Sequence, residues 1–298
     1  TGGYSAEYGQ ALSSVLLLNT IDEPDQEKTD IGIMSVGGAL GNTQKWEKSS
    51  ISVNASYINL APYIALFPDR NDWIKPYEMA SGETVFRKKT NAGLIKLYAA
   101  FDATNFELIQ EDINFEEGLR YKLNNNNLYV NGSYQGVLNS QWSIFGGGSY
   151  TRANNKQGVM DQKINSIDNA FHAKLKLKNR VSNRFKLYMG VEFFSTDFEE
   201  TYGNDLIEDL DYGYQDNMVA AFTEADIFIS KNLAFKAGIR GEYSSVFKDF
   251  TLAPRLSLAS KISSNIESAF SYISSLYSPS LFRTLSNSHR KSSQQFSM

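Results

Sequence analysis

The sequence predicts an all-β chain, an antiparallel up-and-down transmembrane β-barrel wall of about eleven strands. Three observations carry that prediction. Apolar and polar residues alternate with a period of two over most of the chain, the alternating segments run about 10 residues, and the connections between them alternate long and short. A strand sends successive side chains to opposite faces, so each segment has one greasy and one polar face. About 10 residues is the length a tilted strand needs to cross the hydrocarbon layer.

In chain order, strands are expected near 30–41 and 48–59, the second carrying Ile51, Val53, Ala55 and Tyr57 between Ser50, Ser52, Asn54 and Ser56. Next come 92–103, with Ile95, Leu97, Ala99 and Phe101 set against Lys96 and Tyr98, then 126–136 and 141–151. Over 169–179, Ala173, Leu175 and Leu177 alternate with His172, Lys174, Lys176 and Lys178; over 184–195, Phe185, Leu187, Met189, Val191 and Phe193 alternate with Lys186, Tyr188, Gly190 and Glu192. Strand 217–230 follows. Leu233, Phe235, Ala237, Ile239 and Tyr243 then alternate with Lys236, Arg240 and Glu242 over 233–244, before 251–260 and 265–275.

The long connections are 104–125, 152–168, 196–216 and 245–250; the short ones are 138–140, 180–183, 230–232 and 261–264. In an up-and-down array alternate connections share an end, so one end has tight turns and the other large loops, as in outer-membrane barrels. A soluble β-sandwich is the competing architecture, but its strands are usually shorter. Segment 60–91, with Pro62, Pro68, Trp73 and Pro76, reads as a long ordered connection tucked beneath the short-turn end. Segment 276–298 is Ser-rich and lacks alternation.

Composition removes several function classes. The 298 residues carry 29 basic and 33 acidic side chains, a net charge of −4, which leaves no cationic excess to neutralise nucleic-acid phosphates. No cysteine and two histidines exclude thiolate nucleophiles, Cys-ligated centres and a multi-histidine metal site. No apolar run approaches the roughly 18–20 residues of a spanning helix. The mean hydropathy is negative, which suits a barrel because only every second residue faces lipid. A chain starting at Thr1 is expected to have lost a leader or to be a piece of something longer.

The N-terminal stretch Gly3-Tyr4-Ser5-Ala6-Glu7-Tyr8-Gly9, followed by the apolar run Val15 to Thr20, resembles the end of the plug domain of TonB-dependent outer-membrane receptors. Glu7, Tyr8 and Gly9 match the family's (A/P)EYG turn; Ser13 and Ser14 stand where the family more often has glycine. Trp73-Ile74-Lys75-Pro76, Lys96-Leu97-Tyr98 and Pro254-Arg255-Leu256-Ser257-Leu258 look like the Bacteroidota-type branch. The resemblance covers roughly residues 1–275 and implies a twenty-two-strand barrel around a plug, in the Gram-negative outer membrane.

It therefore divides the chain into a plug end (1–20), a linker (21–28), a partial barrel (29–275) and an irregular tail (276–298) that need not be native barrel sequence. With an odd, half-complete set of strands, the fragment alone should not close a barrel. The implied function is energised uptake of a large scarce solute: a siderophore, cobalamin or glycan. The implied partners are outer-membrane lipid, the solute, a TonB-type energy-transducing protein whose contact region lies outside this sequence, and a surface lipoprotein. No enzyme activity and no cofactor are implied. The alternative class is a non-transporting structural or adhesive β-protein.

Charged residues on the polar strand faces are the candidate lumen-facing set: Lys96, Lys174, Lys176, Glu192, Lys236, Arg240, Glu242 and Arg255. Any solvated strand face would look the same, so the sequence leaves their role open. The acidic stretch 196–216 fails the EF-hand spacing, with Gly213 out of register, and reads as a solvated loop. Gly146-Gly147-Gly148 lies inside a strand pattern with no helix or Lys-Ser/Thr behind it, so it is not a phosphate loop. His172 alternates with lysines and reads as a polar-face residue. Tyr150, Phe193, Phe194, Tyr243 and Tyr272 near strand ends are candidates for aromatic girdles.

Overall fold

The computed structural model describes residues 5–9, 19–67, 71–204, 207–263 and 266–273. Its strands are β1 (Lys28–Met34), β2 (Gly37–Lys45), β3 (Ser49–Asn59), β4 (Asp72–Lys89), β5 (Gly93–Asp112), β6 (Phe115–Val137) and β7 (Trp142–Val159). They continue as β8 (Gln162–Arg180), β9 (Phe185–Asn204), β10 (Ile207–Phe228), β11 (Leu233–Ser244), β12 (Asp249–Ser263) and β13 (Ile266–Ile273). A short helix, α1 (Ala61–Leu66), starts with Pro62 in its first turn, where the missing N–H costs nothing. The thirteen strands form one antiparallel sheet in strict sequence order, β1 to β13, with no crossover.

The count exceeds the expected eleven for two reasons. Segment 30–41 is a hairpin, with β1 and β2 paired from Lys28–Thr43 to Met34–Gly37. Its alternation carries through the turn, which hides the reversal. Segment 60–91 contains α1 and the 18-residue β4. Once β4 is counted, α1 lies at the end opposite the short turns, not beneath them. Pro76 sits where the β4–β5 register slips, between Lys75–Glu107 and Glu78–Asn105, so the missing N–H interrupts a ladder already broken.

The expected long loops are mostly strand. β5 and β6 pair from Gly93–Gly136 out to Asp112–Phe115, and β7 and β8 close on Val159–Gln162. β6 runs 23 residues, roughly 75 Å at about 3.3 Å per residue, well beyond the ~30 Å hydrocarbon layer even when tilted. Beyond lipid neither face needs to be apolar, so alternation stops while pairing continues. The opposite end keeps tight connections at 46–48, 90–92, 138–141, 181–184 and 229–232.

Register sorts the two faces. Lys96, Ser133, Gly147, Lys174, Glu192, Ala220 and Glu242 are successive cross-strand partners, so they share the polar face. Ile95, Leu97, Leu175, Leu177, Phe185, Leu187, Phe235 and Ile239 fall on the other face; Leu97, Leu175 and Ile239 are exposed and the other five half-buried. Burial is inverted relative to a water-soluble domain. Among the described residues the buried set combines five apolar side chains, Ala6, Val85, Met218, Ala220 and Phe222, with Ser50 and the charged Arg87, Glu107, Glu192, Glu224, Arg240 and Arg255. A chain whose greasy residues are solvated and whose charges are buried has lipid as the solvent of its apolar face. Among the described residues no helix is long and apolar enough to cross a membrane; the strands do it.

Of the candidate girdle residues, Tyr150, Phe193, Tyr243 and Tyr272 lie on the apolar face. Tyr243 and Tyr272 each stand one residue from the end of their strand, whereas Tyr150 and Phe193 fall well inside β7 and β9, which run longer than expected. Phe194 is corrected to the polar face, where its ring stacks on His172 at 4.1 Å. The acidic stretch 196–216 is the β9–β10 hairpin, and no carboxylate group that could hold a metal occurs among the described residues. The expected last plug strand, 11–19, lies outside the described residues except for Asn19, and the tail 276–298 lies wholly outside them.

Candidate functional site

Residues 5–9 form a tight turn lying on the polar face of β8–β12. Tyr8 N–H donates to Ser5 O at 3.1 Å and Glu7 N–H to Ser5 Oγ at 3.1 Å. A serine hydroxyl that bonds the backbone two residues on is a standard device for such turns. Ala6 is fully buried against Gly238, where an added Cβ would stand 2.8 Å from the Ala6 methyl. The glycine therefore sets how closely the turn can approach β11.

Ions hold the turn on both sides. Glu224, on β10, accepts Ala6 N–H at 2.7 Å and the Ser5 hydroxyl at 2.9 Å, and pairs with Lys236 at 3.1 Å. The Glu7 carboxylate bridges Lys174 at 3.0 Å and Lys176 at 2.8 Å. Arg240 donates through Nη1 to Glu7 O at 2.9 Å and to Glu192 at 2.6 Å, and through Nε to Glu242 at 2.5 Å. Arg255 donates to Ser5 O. Glu192 also takes Lys174 at 3.0 Å and His172 at 3.3 Å. Burying a charge is costly unless it is paired and hydrogen-bonded, and here the carboxylates are met by cations and by backbone groups of the turn. Tyr8, beneath the Lys174 ammonium at 4.9 Å from its ring centroid, has its phenol pushed up to about 12, first by burial and then by the charges of Glu7, Glu192 and Glu224.

A second clamp holds linker residues 19–27 across β2–β5. Lys96 binds Asp22 at 2.6 Å and Thr20 O at 2.7 Å; Arg87 donates to Ile21 O at 2.8 Å; Lys45 reaches Glu23 at 3.0 Å and Pro24 O at 3.1 Å. Lys89 also pairs with Glu23. Hydrogen bonds from Lys89 and Lys45 hold the Glu23 carboxyl below the usual carboxylate range.

Seven of the eight candidate polar-face residues thus meet around one turn: Lys174, Lys176, Glu192, Lys236, Arg240, Glu242 and Arg255. Lys96 belongs to the second clamp. The plug-end motif residues Glu7, Tyr8 and Gly9 supply the held turn. Sequence reasoning missed Glu224, the acceptor of two bonds from the turn, together with Arg87 and Gly238. Glu224 was findable: it shares the parity of Ala220, Phe222 and Asp226, and its partner Gly238 shares that of Lys236 and Arg240.

A long-stranded antiparallel sheet with an exposed apolar face, whose polar face grips a separate chain segment, is the wall of a plugged outer-membrane barrel. The family model described as "TonB dependent receptor-like, beta-barrel" matches residues 45–297. The chain belongs to that family, whose barrels sit in the Gram-negative outer membrane. Among solved structures it is similar to the alcaligin outer-membrane receptor FauA from Bordetella pertussis, with TM-score 0.61 and 9% identity over 83% of this chain and 41% of that one. It is similar too to BauA, the ferric preacinetobactin receptor from Acinetobacter baumannii, with TM-score 0.58 and 9% identity over 81% and 45%. The RagAB peptide transporter gives TM-score 0.54 and 9% identity over 76% and 34%. At such identity these likenesses show the fold alone, and the chain spans less than half the length of each. No curated protein matches.

Proposed function

We propose that residues 1–20 are the end of a plug, 21–28 its linker and 29–275 the leading part of the barrel of a TonB-dependent receptor that takes up a large scarce solute, driven by a TonB-type partner. The observation that carries this reading is the first clamp. A non-transporting barrel has no need to bury four glutamates and five cations of its polar face and N-terminal turn in mutual contact. A receptor does, because the held segment must block the lumen at rest and still be separable without unfolding the wall. Ion pairs suit that task, since they break as discrete contacts while the sheet keeps its backbone bonds. Assignment to the Bacteroidota-type branch rests on the short stretches around Trp73 and Arg255 alone.

The test is a disulfide between Ala6→Cys and Gly238→Cys in the receptor that carries this sequence, expressed in outer membranes. Their side chains face each other, so oxidation should cross-link them and abolish uptake, with reductant restoring it. Absence of the cross-link would overturn the placement of the plug end. A cross-link without effect on any uptake would favour the structural or adhesive reading.

A further inference from the structure

Between the two clamps the polar face encloses a cavity of about 690 Å³, roofed on one side by Asn19 and Thr20. That volume lies within the ~300–1,000 Å³ of ordinary ligand pockets. Its charged wall residues are all committed. Lys96 is held by Asp22 and Thr20 O, and Lys174 by Glu7 and Glu192. Glu83 accepts the Tyr98 hydroxyl at 2.9 Å and the Asn54 amide at 2.8 Å. The uncommitted wall is neutral: Ser133, Gln135 and Ser149 have no side-chain hydrogen bond among the described residues. Beside them stand the rings of Tyr98 and Tyr129, with centroids 5.9 Å apart and planes tilted by 56°.

We infer that this cavity binds a neutral polyhydroxylated solute, a short oligosaccharide, so the inference rests on the receptor reading above and specifies its solute. A sugar ring has an apolar C–H face for a phenol ring to cover and a rim of hydroxyls that both donate and accept. Amide and hydroxyl side chains match that rim because they too do both. A polyanionic metal chelate would need free cations, and freeing Lys96 or Lys174 breaks a clamp. A cationic peptide would need free carboxylates, and Glu83 already carries two hydrogen bonds. The roof gives the site a further property. A ligand here touches Asn19 and Thr20, and Thr20 O is one of the groups through which Lys96 grips the linker, so occupancy bears directly on the second clamp.

The experiment uses the receptor that carries this sequence, purified in detergent, after a sample bearing Ala6→Cys and Gly238→Cys has been shown to cross-link. Calorimetry then compares maltotriose, cellotriose and a galactotriose with trilysine and with a ferric tris-catecholate trianion. At least one neutral trisaccharide should bind, equally well in about 0.15 M and about 1 M NaCl, because no free charge takes part. Tyr129→Ala should weaken it about tenfold, from the loss of a stacked ring, and the milder Gln135→Ala should weaken it in a protein whose fold is not in question. Binding only of trilysine or the ferric chelate, or sugar binding indifferent to both substitutions, would overturn the inference. So would a cross-linking receptor that binds none of the sugars, which leaves the receptor reading standing; a receptor that fails to cross-link sinks that reading instead.

Discussion

The turn at 5–9 and the linker at 19–27 are both held by lysines and arginines of the same polar face, yet they sit in different media. In the first clamp Arg240 is 1% exposed and Glu192 and Glu224 are 4% exposed; in the second, Asp22 is 79% and Glu23 43% exposed. Two unit charges at about 4 Å gain ~1 kcal/mol in water and ~4 kcal/mol at an effective dielectric near 20. Similar ion pairs therefore do different jobs. The buried cluster defines where the turn sits and tolerates no loss of a member. The exposed cluster tethers the linker loosely and answers to the solution around it.

The largest expected effect comes from removing the buried arginine. Arg240→Met leaves Glu192 and Glu242 facing each other without their shared cation and frees Glu7 O. Breaking a buried pair from one side costs about 3–5 kcal/mol, whereas replacing all its members by neutral groups can be nearly neutral. Arg240→Met should thus expose segment 5–9 to protease and lower the temperature of the heat-modifiable transition. Adding Glu192→Gln and Glu242→Gln should recover most of that loss. If the single substitution were silent, the first clamp would be no tighter than the second and the contrast would collapse.

Next in size is Gly238→Val. The new side chain enters space held by Ala6, and overpacking costs about 1–3 kcal/mol when neighbours cannot move. Here the turn can move, so the expected result is a displaced turn on an intact sheet. Protease should cut near residues 5–9 while strand resistance persists. Loss of the whole sheet would show that Gly238 serves β11 itself and not the docking of the turn.

Much of this was legible in period-two alternation, because one face must satisfy lipid and the other ions. That rule placed Lys174, Lys176, Glu192 and Arg240 on one side before any coordinates. It failed where lipid no longer constrains the chain. Asn124 to Asn127 read as part of a loop and a strand edge, yet they pair residue by residue with Asn154, Asn155 and their neighbours. It failed again at β4, where Pro76 and a register slip mask a strand. Pairing between distant segments was never legible: Glu224 meets Ser5 across 219 positions, and alternation says which face a residue takes but not what lies on it.

The two clamps should also open at opposite ends of the pH scale. Tyr8 is pushed up to about 12 in the folded state from an ordinary value near 10. A raised pKa contributes stability that is complete below about 10 and is lost as pH climbs toward about 12. The first clamp should therefore loosen in alkali, seen as protease access to segment 5–9, and Tyr8→Phe should remove that alkaline step. Glu23 is the reverse case, lowered by its bonds to Lys89 and Lys45. Its contribution is present above the ordinary carboxylate range and lost as pH falls through the lowered folded value, so the linker should release only in strong acid.

The smallest effect, and the sharpest discriminator, is salt. At about 0.1 M ionic strength the screening length is ~10 Å, and at about 1 M it is ~3 Å. Exposed ion pairs feel that change and desolvated ones barely do. A spin label at Asp25, on the linker beside Glu23, should gain mobility as salt rises, while a label on Ser5 should not. Glu23→Gln should raise the low-salt mobility of the linker label to its high-salt value and leave nothing for salt to change. Should both labels respond alike, the two clamps would share one environment, and burial would not be what separates them. Should neither respond, the linker would be held by its backbone bonds, Arg87 to Ile21 O and Lys96 to Thr20 O, and the carboxylates of Asp22 and Glu23 would be passengers.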